Sequence, residues 1–525
     1  MILNLKKFNK YVDYKHFKME TIDNVLNTIQ ENDYMASVDL KDAFYSIPIY
    51  VPHQKYLKFM FDKNIYKFLC LPNGYGPAMR MFTKILKAPY AFLRSKGFSS
   101  VVYVDDNLLF GHTFEECEIN INTTIHTLRK LGFTIHFEKS ILIPTKEITF
   151  LGFIINSTKM TLTLTDDKKA KIIKLCTKAK TEKLLVIREL ASIIGNLVSS
   201  FPAVPHGKLF YRNLELNKIS ALRENKGNFD ELTLITHNSV SELEWWIDNV
   251  STSFRNIKIP CINMTIYTDA SSEGWGISHN NVKNGGRWNI CESKLHINCL
   301  ELLAVFIGLK TFCKDKTKIH VRIMADNTTA VSYINNMGGT QSLMCNSITK
   351  DIWTWCYARD IWISAAHIPG VLNVEADSAS RQFNDALEWM LKPSIFKFVT
   401  NVFGMPTIDL FASRNNRQID KYVSWKPEPD AFAIDAFSLN WAKGFPYIFP
   451  PFSVLGMTIS KIRREKVSSI LIIPNWPTQT WFPLAIGLSK KLLHLPIEAD
   501  TLILTHKIYQ VHPLYPKLEL LAIKT

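Results

Sequence analysis

The nine cysteines, at 70, 117, 176, 261, 291, 299, 313, 345 and 356, form no Cys-x-x-Cys pair. Their scatter excludes the common zinc-ligand spacings and the disulfide framework of small secreted domains. It suits a reducing intracellular compartment, cytoplasm or nucleus, rather than secretion. No apolar stretch approaches ~18 residues, so neither a transmembrane helix nor a membrane partner is expected. The opening MILNLKKFNKYVDYKHF lacks the apolar core of a signal peptide. Internal repeats and low-complexity tracts are missing, which excludes a solenoid or a fibrous chain. Acidic residues are the scarcer charge, 47 Asp and Glu against 62 Lys and Arg, for a net charge of +15. That deficit suits either a polyanionic partner, most simply nucleic acid, or a merely soluble basic protein.

What is present is enough apolar material for several cores. The chain has 525 residues and is 47% hydrophobic. At ~150 residues per domain, three or four domains are expected. Residues 34–50 read as a strand running into a loop. Residues 56–71 read as two strands around Asp62-Lys63-Asn64. Residues 77–97 and 115–131 read as helices stopped by Gly97 and Gly132. A lysine-dense helix at 166–183 opens a helical region, with RELASIIGNLVSS and HNSVSELEWWIDNV as further helices and a break at Pro260. A second α/β segment starts at Met264 and ends before Lys392-Pro393-Ser394, and a proline- and aromatic-rich third begins near 405.

VVYVDDNLLF, residues 101–110, sets two adjacent aspartates inside an apolar run. Unpaired carboxylates in such a setting cost several kcal/mol or take up protons. A hairpin with Asp105 and Asp106 at its tip, neutralised by a cation, resolves the conflict. Hard oxygen ligands on a rigid turn suit Mg²⁺. ASVDLKDAFYSIPI, residues 36–49, supplies Asp39 after a strand-like segment and Asp42 beyond it. If those strands are neighbours, two carboxylates meet at one sheet edge and can clamp two metals ~4 Å apart. The plainer reading of the Asp105-Asp106 pair alone is a turn with solvated acids.

With these segments on the page, residues 1–155 resemble reverse transcriptases. YVDD at 103–106 is similar to the Y-x-D-D box, and SVDLKDAFYSIPI to the first catalytic strand. LPNGYGPAM at 71–79, FEKS at 137–140 and FLGF at 150–153 follow in the family's order. The resemblance implies that Asp39 and Asp105 ligate two Mg²⁺ or Mn²⁺ ions, with Asp106 beside them and the Leu40 carbonyl as a further ligand. It implies an aromatic gate at Phe44 that excludes a 2′-hydroxyl. It also implies a nucleotide pocket at Asn73 and Gly74, and a triphosphate-side proton donor at Lys139. Asn73 stands where the family commonly has Phe or Gln. RNA template, DNA primer and dNTPs are the implied partners. Met1 falls after a fingers stretch that family members carry, so N-terminally truncated fingers are expected. The lysine-rich helix suits a thumb that tracks phosphates without reading sequence, although a solvated face is the plainer reading.

A second constellation follows. TIYTDASSEGWGI (265–277) is a strand carrying Asp269, and NCLELLAVFIGLK (298–310) reads as an amphipathic helix with Glu301 near its start. HVRIMADNTTAVSYI (320–334) is a strand ending at Asp326, and SAAHIPGVLNVEADSASR (364–381) holds His367 and Asp377. Each signal alone is bland, because helix-start Glu and lone His are usually structural. In this order, with Asn373 between His367 and Asp377, they resemble the RNase H family. The resemblance implies four carboxylates around two Mg²⁺, a proton-shuttling or product-release role for His367, and an RNA/DNA hybrid as substrate.

IDLFASRNNRQIDKYVSWKPEP (408–429), DAFSLNW (435–441), FPPFS (449–453) and LIIPNWPTQTWF (471–482) resemble a set found in DIRS-type retrotransposons. There they look like a phage-type DNA N6-adenine methyltransferase. Such enzymes use S-adenosylmethionine and need an Asp or Asn before Pro-Pro-aromatic to accept a hydrogen bond from the target amine. Phe449 stands there and cannot accept, which argues against S-adenosylmethionine chemistry and leaves a degenerate structural domain or a nucleic-acid-binding module. These elements encode a tyrosine recombinase separately, a further implied partner. The expected organisation is an α/β and α+β multidomain chain with a right-hand architecture. Fingers and palm span 1–155, a mostly helical thumb and connection 156–260, an RNase H-like α/β domain 261–392, and a degenerate methyltransferase-like α/β domain 400–525. The expected function is RNA-directed DNA polymerase with RNase H activity. The alternative is a decayed or domesticated retroelement protein that binds nucleic acid without catalysis.

Overall fold

The computed structural model describes residues 4–258, 261–383 and 388–525. Met1 and the break expected at Pro260 lie outside the described residues. The chain forms two compact units, 1–259 and 260–525, and the architecture is mixed α/β. No helix among the described residues is long and apolar enough to cross a membrane.

In the first unit the central strand Tyr34–Lys41 lies between Asp106–Gly111, itself paired with Ser100–Tyr103, and Thr134–Ile135. Ile141–Thr145 pairs with the central strand as well. Side chains alternate between the two faces of a strand. Ala36, Val38 and Leu40 are buried with Phe82, Leu86, Tyr90 and Leu93 of helix Ala78–Ser95 and Cys117, Ile121 and Leu128 of helix Phe114–Lys130. Alternation then puts Met35, Ser37 and Asp39 on the other face. The hairpin at 58–67 forms, with Asp62 and Lys63 at positive φ and Asn64 already in its second strand.

Helices Asp166–Glu182, Ile187–Val198 and His237–Asn249 form at the expected segments. A fourth, Arg212–Glu224, had no expectation behind it. It buries only Leu214, Asn217 and Ala221, too narrow a stripe to stand out in sequence. The lysine-rich helix is not simply a solvated face. The Lys168 ammonium lies 4.4 Å from the Phe153 ring and donates to the Ser199 carbonyl at 3.0 Å.

The second unit contains a sheet ordered Val282–Arg287, Gly274–His279, Met264–Ala270, His320–Ala325, Trp362–His367. Its first two pairings are antiparallel and its last two parallel. Helix Ile297–Phe312 departs from the amphipathic expectation. Cys299 to Leu302, Ala304, Val305 and Ile307 to Leu309 are all buried, so it is covered on nearly every side. A one-sided stripe could not form because polar residues on this helix are almost absent.

Helix Val374–Arg381 lies so close to the sheet that only glycine fits beneath it. A Cβ on Gly276 would sit 1.9 Å from the Ala376 carbonyl oxygen, and one on Gly285 2.0 Å from that of Ala379. Gly276→Ala should therefore lift this helix and lower stability by about 2–4 kcal/mol in denaturant titration. An unchanged midpoint would mean the helix does not rest there.

A further sheet, ordered Ile408–Asp409, Pro446–Ile448, Ile470–Pro474, Leu520–Lys524, Lys491–His494, completes the unit. Its first three strands are parallel and the rest antiparallel.

Candidate functional site

The hairpin of the first unit differs in detail from expectation. Its tip is Val104 and Asp105, and Asp106 is the first residue of the returning strand. Val104 takes φ +55°, a strained conformation for a β-branched residue. Asp106 lies opposite both Tyr103 and Asp39 in antiparallel register. The shared edge is tied by hydrogen bonds. The Leu40 N–H donates to the Asp105 carbonyl at 3.1 Å, and buried Asn107 donates Nδ2 to the carbonyls of Val38 at 2.8 Å and Asp105 at 3.0 Å. The Asp39 N–H donates to Ser140 Oγ at 3.0 Å, and the Ser140 hydroxyl donates to the His136 carbonyl at 2.8 Å. Ser140 and Asn107 were not singled out from sequence. Asn107 directly follows the aspartate pair, which is the signal that could have found it.

The electrostatics join the three aspartates and Lys139. Burial raises the Asp105 pKa, Asp39 adds to the rise, and Lys139 opposes it. Asp106 is pushed up to about 6, first by burial, then by the charges of Asp105 and Asp39 and a hydrogen bond with Asp39, again against Lys139. Burial and mutual repulsion thus make Asp105 and Asp106 harder to ionise than free aspartates, a penalty that a bound cation would relieve.

The proposed nucleotide-side residues sit on short turns. Asp42, at φ +54°, opens the 3-10 turn Ala43–Ser46, and the Phe44 ring packs edge-on against Phe82 at 5.7 Å. Asn73 donates Nδ2 to the Tyr45 hydroxyl at 3.2 Å, and Tyr45 stacks on Phe68 at 6.5 Å. Gly74, at φ +88°, accepts from Asn9 through its carbonyl at 2.9 Å.

The second unit holds a tighter acidic centre. Asp269, Glu301 and Asp326 each bring one carboxylate oxygen within 4.8 Å of the others. Burial first, then Asp269 and Asp326, push Glu301 up to about 9. Among the described residues its Oε2 is buried without a hydrogen-bond partner. Burial also raises Asp269, though Ser380 Oγ donates to Asp269 Oδ2 at 2.6 Å and opposes the rise. An unpartnered carboxylate oxygen between two other acids fits a hard divalent cation.

Asp377 stands outside this trio. Its Oδ1 accepts from Arg381 Nε at 2.8 Å, although its charge still raises Asp269. His367 is exposed at the end of Trp362–His367, one strand from Asp326 and outside the trio. Asn373 Nδ2 donates to the Thr268 carbonyl at 2.9 Å, pinning the start of the Asp377 helix beside the Asp269 strand. Ser380 and Arg381 were missed because neither residue type carries a signal on a helix; only the packing reveals them.

Residues 1–155 match the family described as reverse transcriptase (RNA-dependent DNA polymerase). The chain is 23% identical over 402 residues to the enzymatic polyprotein of cauliflower mosaic virus (strain Strasbourg), covering 73% of this chain and 55% of that one. It is 25% identical over 367 residues to the putative enzymatic polyprotein of cassava vein mosaic virus, covering 66% and 53%. The chain thus spans about half the length of these relatives. Among solved structures, a foamy viral protease-reverse transcriptase in complex with RNA/DNA hybrid aligns at TM-score 0.43 and 17% identity, over 74% of this chain and 52% of that one. Residues 1–155 are a reverse transcriptase domain of the kind carried by retroelement polyproteins.

Proposed function

We propose that the chain is an RNA-directed DNA polymerase with ribonuclease H activity, copying an RNA template from a DNA primer and cleaving the RNA of the hybrid. The observation that carries the reading is the Asp39–Asp106 register, which sets Asp39 on the strand beside the Asp105–Asp106 hairpin, with Lys139 near enough to act on both hairpin acids. Asp39 and Asp105, with the Leu40 carbonyl, would hold the cations of the polymerase centre. Asp269, Glu301, Asp326 and, after leaving Arg381, Asp377 would hold those of the nuclease centre. Mg²⁺ or Mn²⁺ bound there supplies charge stabilisation for the attacking and leaving oxygens of phosphoryl transfer.

The remaining roles belong to the chain. Phe44 closes the space beside the sugar, so a deoxynucleotide is preferred. Asn73, oriented by Tyr45, and Gly74 line the base and sugar. Lys139 sits where its ammonium offsets the aspartates and can give a proton to departing pyrophosphate. His367, exposed on a strand end, is free to move protons or release product. The motif set at 408–482 supports a DIRS-type element, with a separately encoded tyrosine recombinase as companion and an intracellular site of copying.

Primer extension tests the reading. The purified full chain, given an RNA template, a DNA primer, dNTPs and Mg²⁺, should extend the primer. EDTA should stop extension, and added Mg²⁺ should restore it. Extension that persists in excess EDTA would contradict a metal-dependent centre at Asp39 and Asp105.

A further inference from the structure

The second unit contains a cavity of about 500 Å³ that neither acidic centre uses. It opens at the carboxyl ends of the neighbouring parallel strands Ile408–Asp409 and Pro446–Ile448, from which Leu410 to Ser413 and Phe449 to Phe452 continue into its wall. Crevices outside the carboxyl ends of parallel strands are where open α/β sheets bind ligands, and the volume falls in the ~300–1,000 Å³ range of such sites. Trp389, Phe411, Phe437, Phe449 and Phe452 line it. Phe411 and Phe437 meet edge to face at 5.6 Å, and Trp425 stands 60% exposed at the lining. These rings are not sealed in a core.

The donor set does not fit methyl transfer. Phe449 replaces the side chain that would accept from an amine. Asp409, the acid on the adjoining strand, is wholly buried and accepts backbone N–H groups from Phe411 and Gln418 at 3.4 and 3.0 Å. Part of the polar lining is engaged as well. Ser413 donates to Glu388, Asp435 accepts from the Phe437 N–H at 2.9 Å, and His512 accepts from the Leu514 N–H at 3.2 Å. Most of the wall left for a ligand is aromatic and aliphatic surface. The acids lining the cavity are Glu388 and Asp435, so an occupant's phosphates would lie outside it, where the surrounding segment, 388–525, carries sixteen Lys and Arg against ten Asp and Glu.

We propose that this cavity takes an unpaired base of a single-stranded nucleic acid by stacking, without reading its edge and without methyl transfer. Every base has a π face, so such a site tolerates sequence.

The test uses the full chain in EDTA, so it is independent of polymerase and nuclease activity. A single-stranded oligonucleotide carrying 2-aminopurine at one central position is titrated with protein. Quenching of the probe is expected for the unaltered chain. Phe437→Leu keeps the wall apolar but removes a ring, and should weaken quenching tenfold or more. Phe449→Leu, from the neighbouring strand, should do the same, and unfolding midpoints identify whichever variant folds normally. Primer extension in Mg²⁺ should be unaffected in both. Absent quenching, or quenching equal in unaltered chain and folded variants, would place the base elsewhere and overturn the proposal. Free 2-aminopurine riboside binding as tightly as the oligonucleotide would overturn the strand as its source in favour of a free nucleoside.

Discussion

Asp105→Asn should lower primer extension by ~10³-fold or more, about 4 kcal/mol of barrier, while the chain remains folded and still binds template. The side chain sits at the hairpin tip, half-buried and coupled to Asp39 and Asp106. Asparagine keeps its shape but removes one negative charge and one strong metal-binding oxygen. Asp106→Asn provides the contrast. It relieves repulsion within the trio and leaves Asp39 and Asp105 intact, so its loss should be smaller. Both rates are read under single-turnover conditions, with affinity for primer–template measured separately. Equal extension by Asp105→Asn and the unaltered chain would remove this hairpin from the chemistry. Loss of binding in step with loss of rate would instead assign Asp105 to holding the hairpin together.

That the acids of VVYVDDNLLF would meet the ASVDL strand was legible in the sequence alone. Their apolar neighbours and the strand-like ASVDL segment allowed few arrangements, and the sheet pairs them directly. Position within the turn was not legible. That Val104 rather than Asp106 would occupy the tip depends on a positive φ that a β-branched residue rarely takes. Ser140 escaped notice for a related reason. A serine matters here only because strand pairing delivers the Asp39 N–H to its hydroxyl, and no local pattern encodes a partner 101 positions away. The helix at 297–312 misled because sequence periodicity tells one covered face from two only when polar residues mark the open side. Asp377 was placed by spacing, and spacing cannot show that Arg381, one turn along the same helix, would hold its carboxylate.

That helix and its neighbours carry the second large effect. Asp269→Asn should reduce cleavage of RNA in an RNA/DNA hybrid by ~10³-fold or more, leaving primer extension unchanged. A distinct readout follows from Glu301, whose pKa rises from 4.5 to about 9 in the folded chain. The folded state therefore holds a proton that the unfolded state releases. Without metal, that contribution is whole below about 4.5 and is lost as pH rises through about 9, on the order of several kcal/mol across the window. Asp409 and Glu428, each raised to about 7 by burial, slope the same way at lower pH. The informative interval is therefore pH 7 to 9, and the informative quantity is the difference between the unaltered chain and Glu301→Gln. In EDTA the unaltered chain should lose thermal stability over that interval more steeply than Glu301→Gln. Mg²⁺ should restore the unaltered chain most at pH 9, where a divalent ion replaces the proton, and should restore Asp269→Asn and Glu301→Gln far less. A parallel decline in both proteins, with no added effect of Mg²⁺, would mean that the unpaired Glu301 oxygen is a buried structural acid. The cleavage lost in Asp269→Asn would then need another cause.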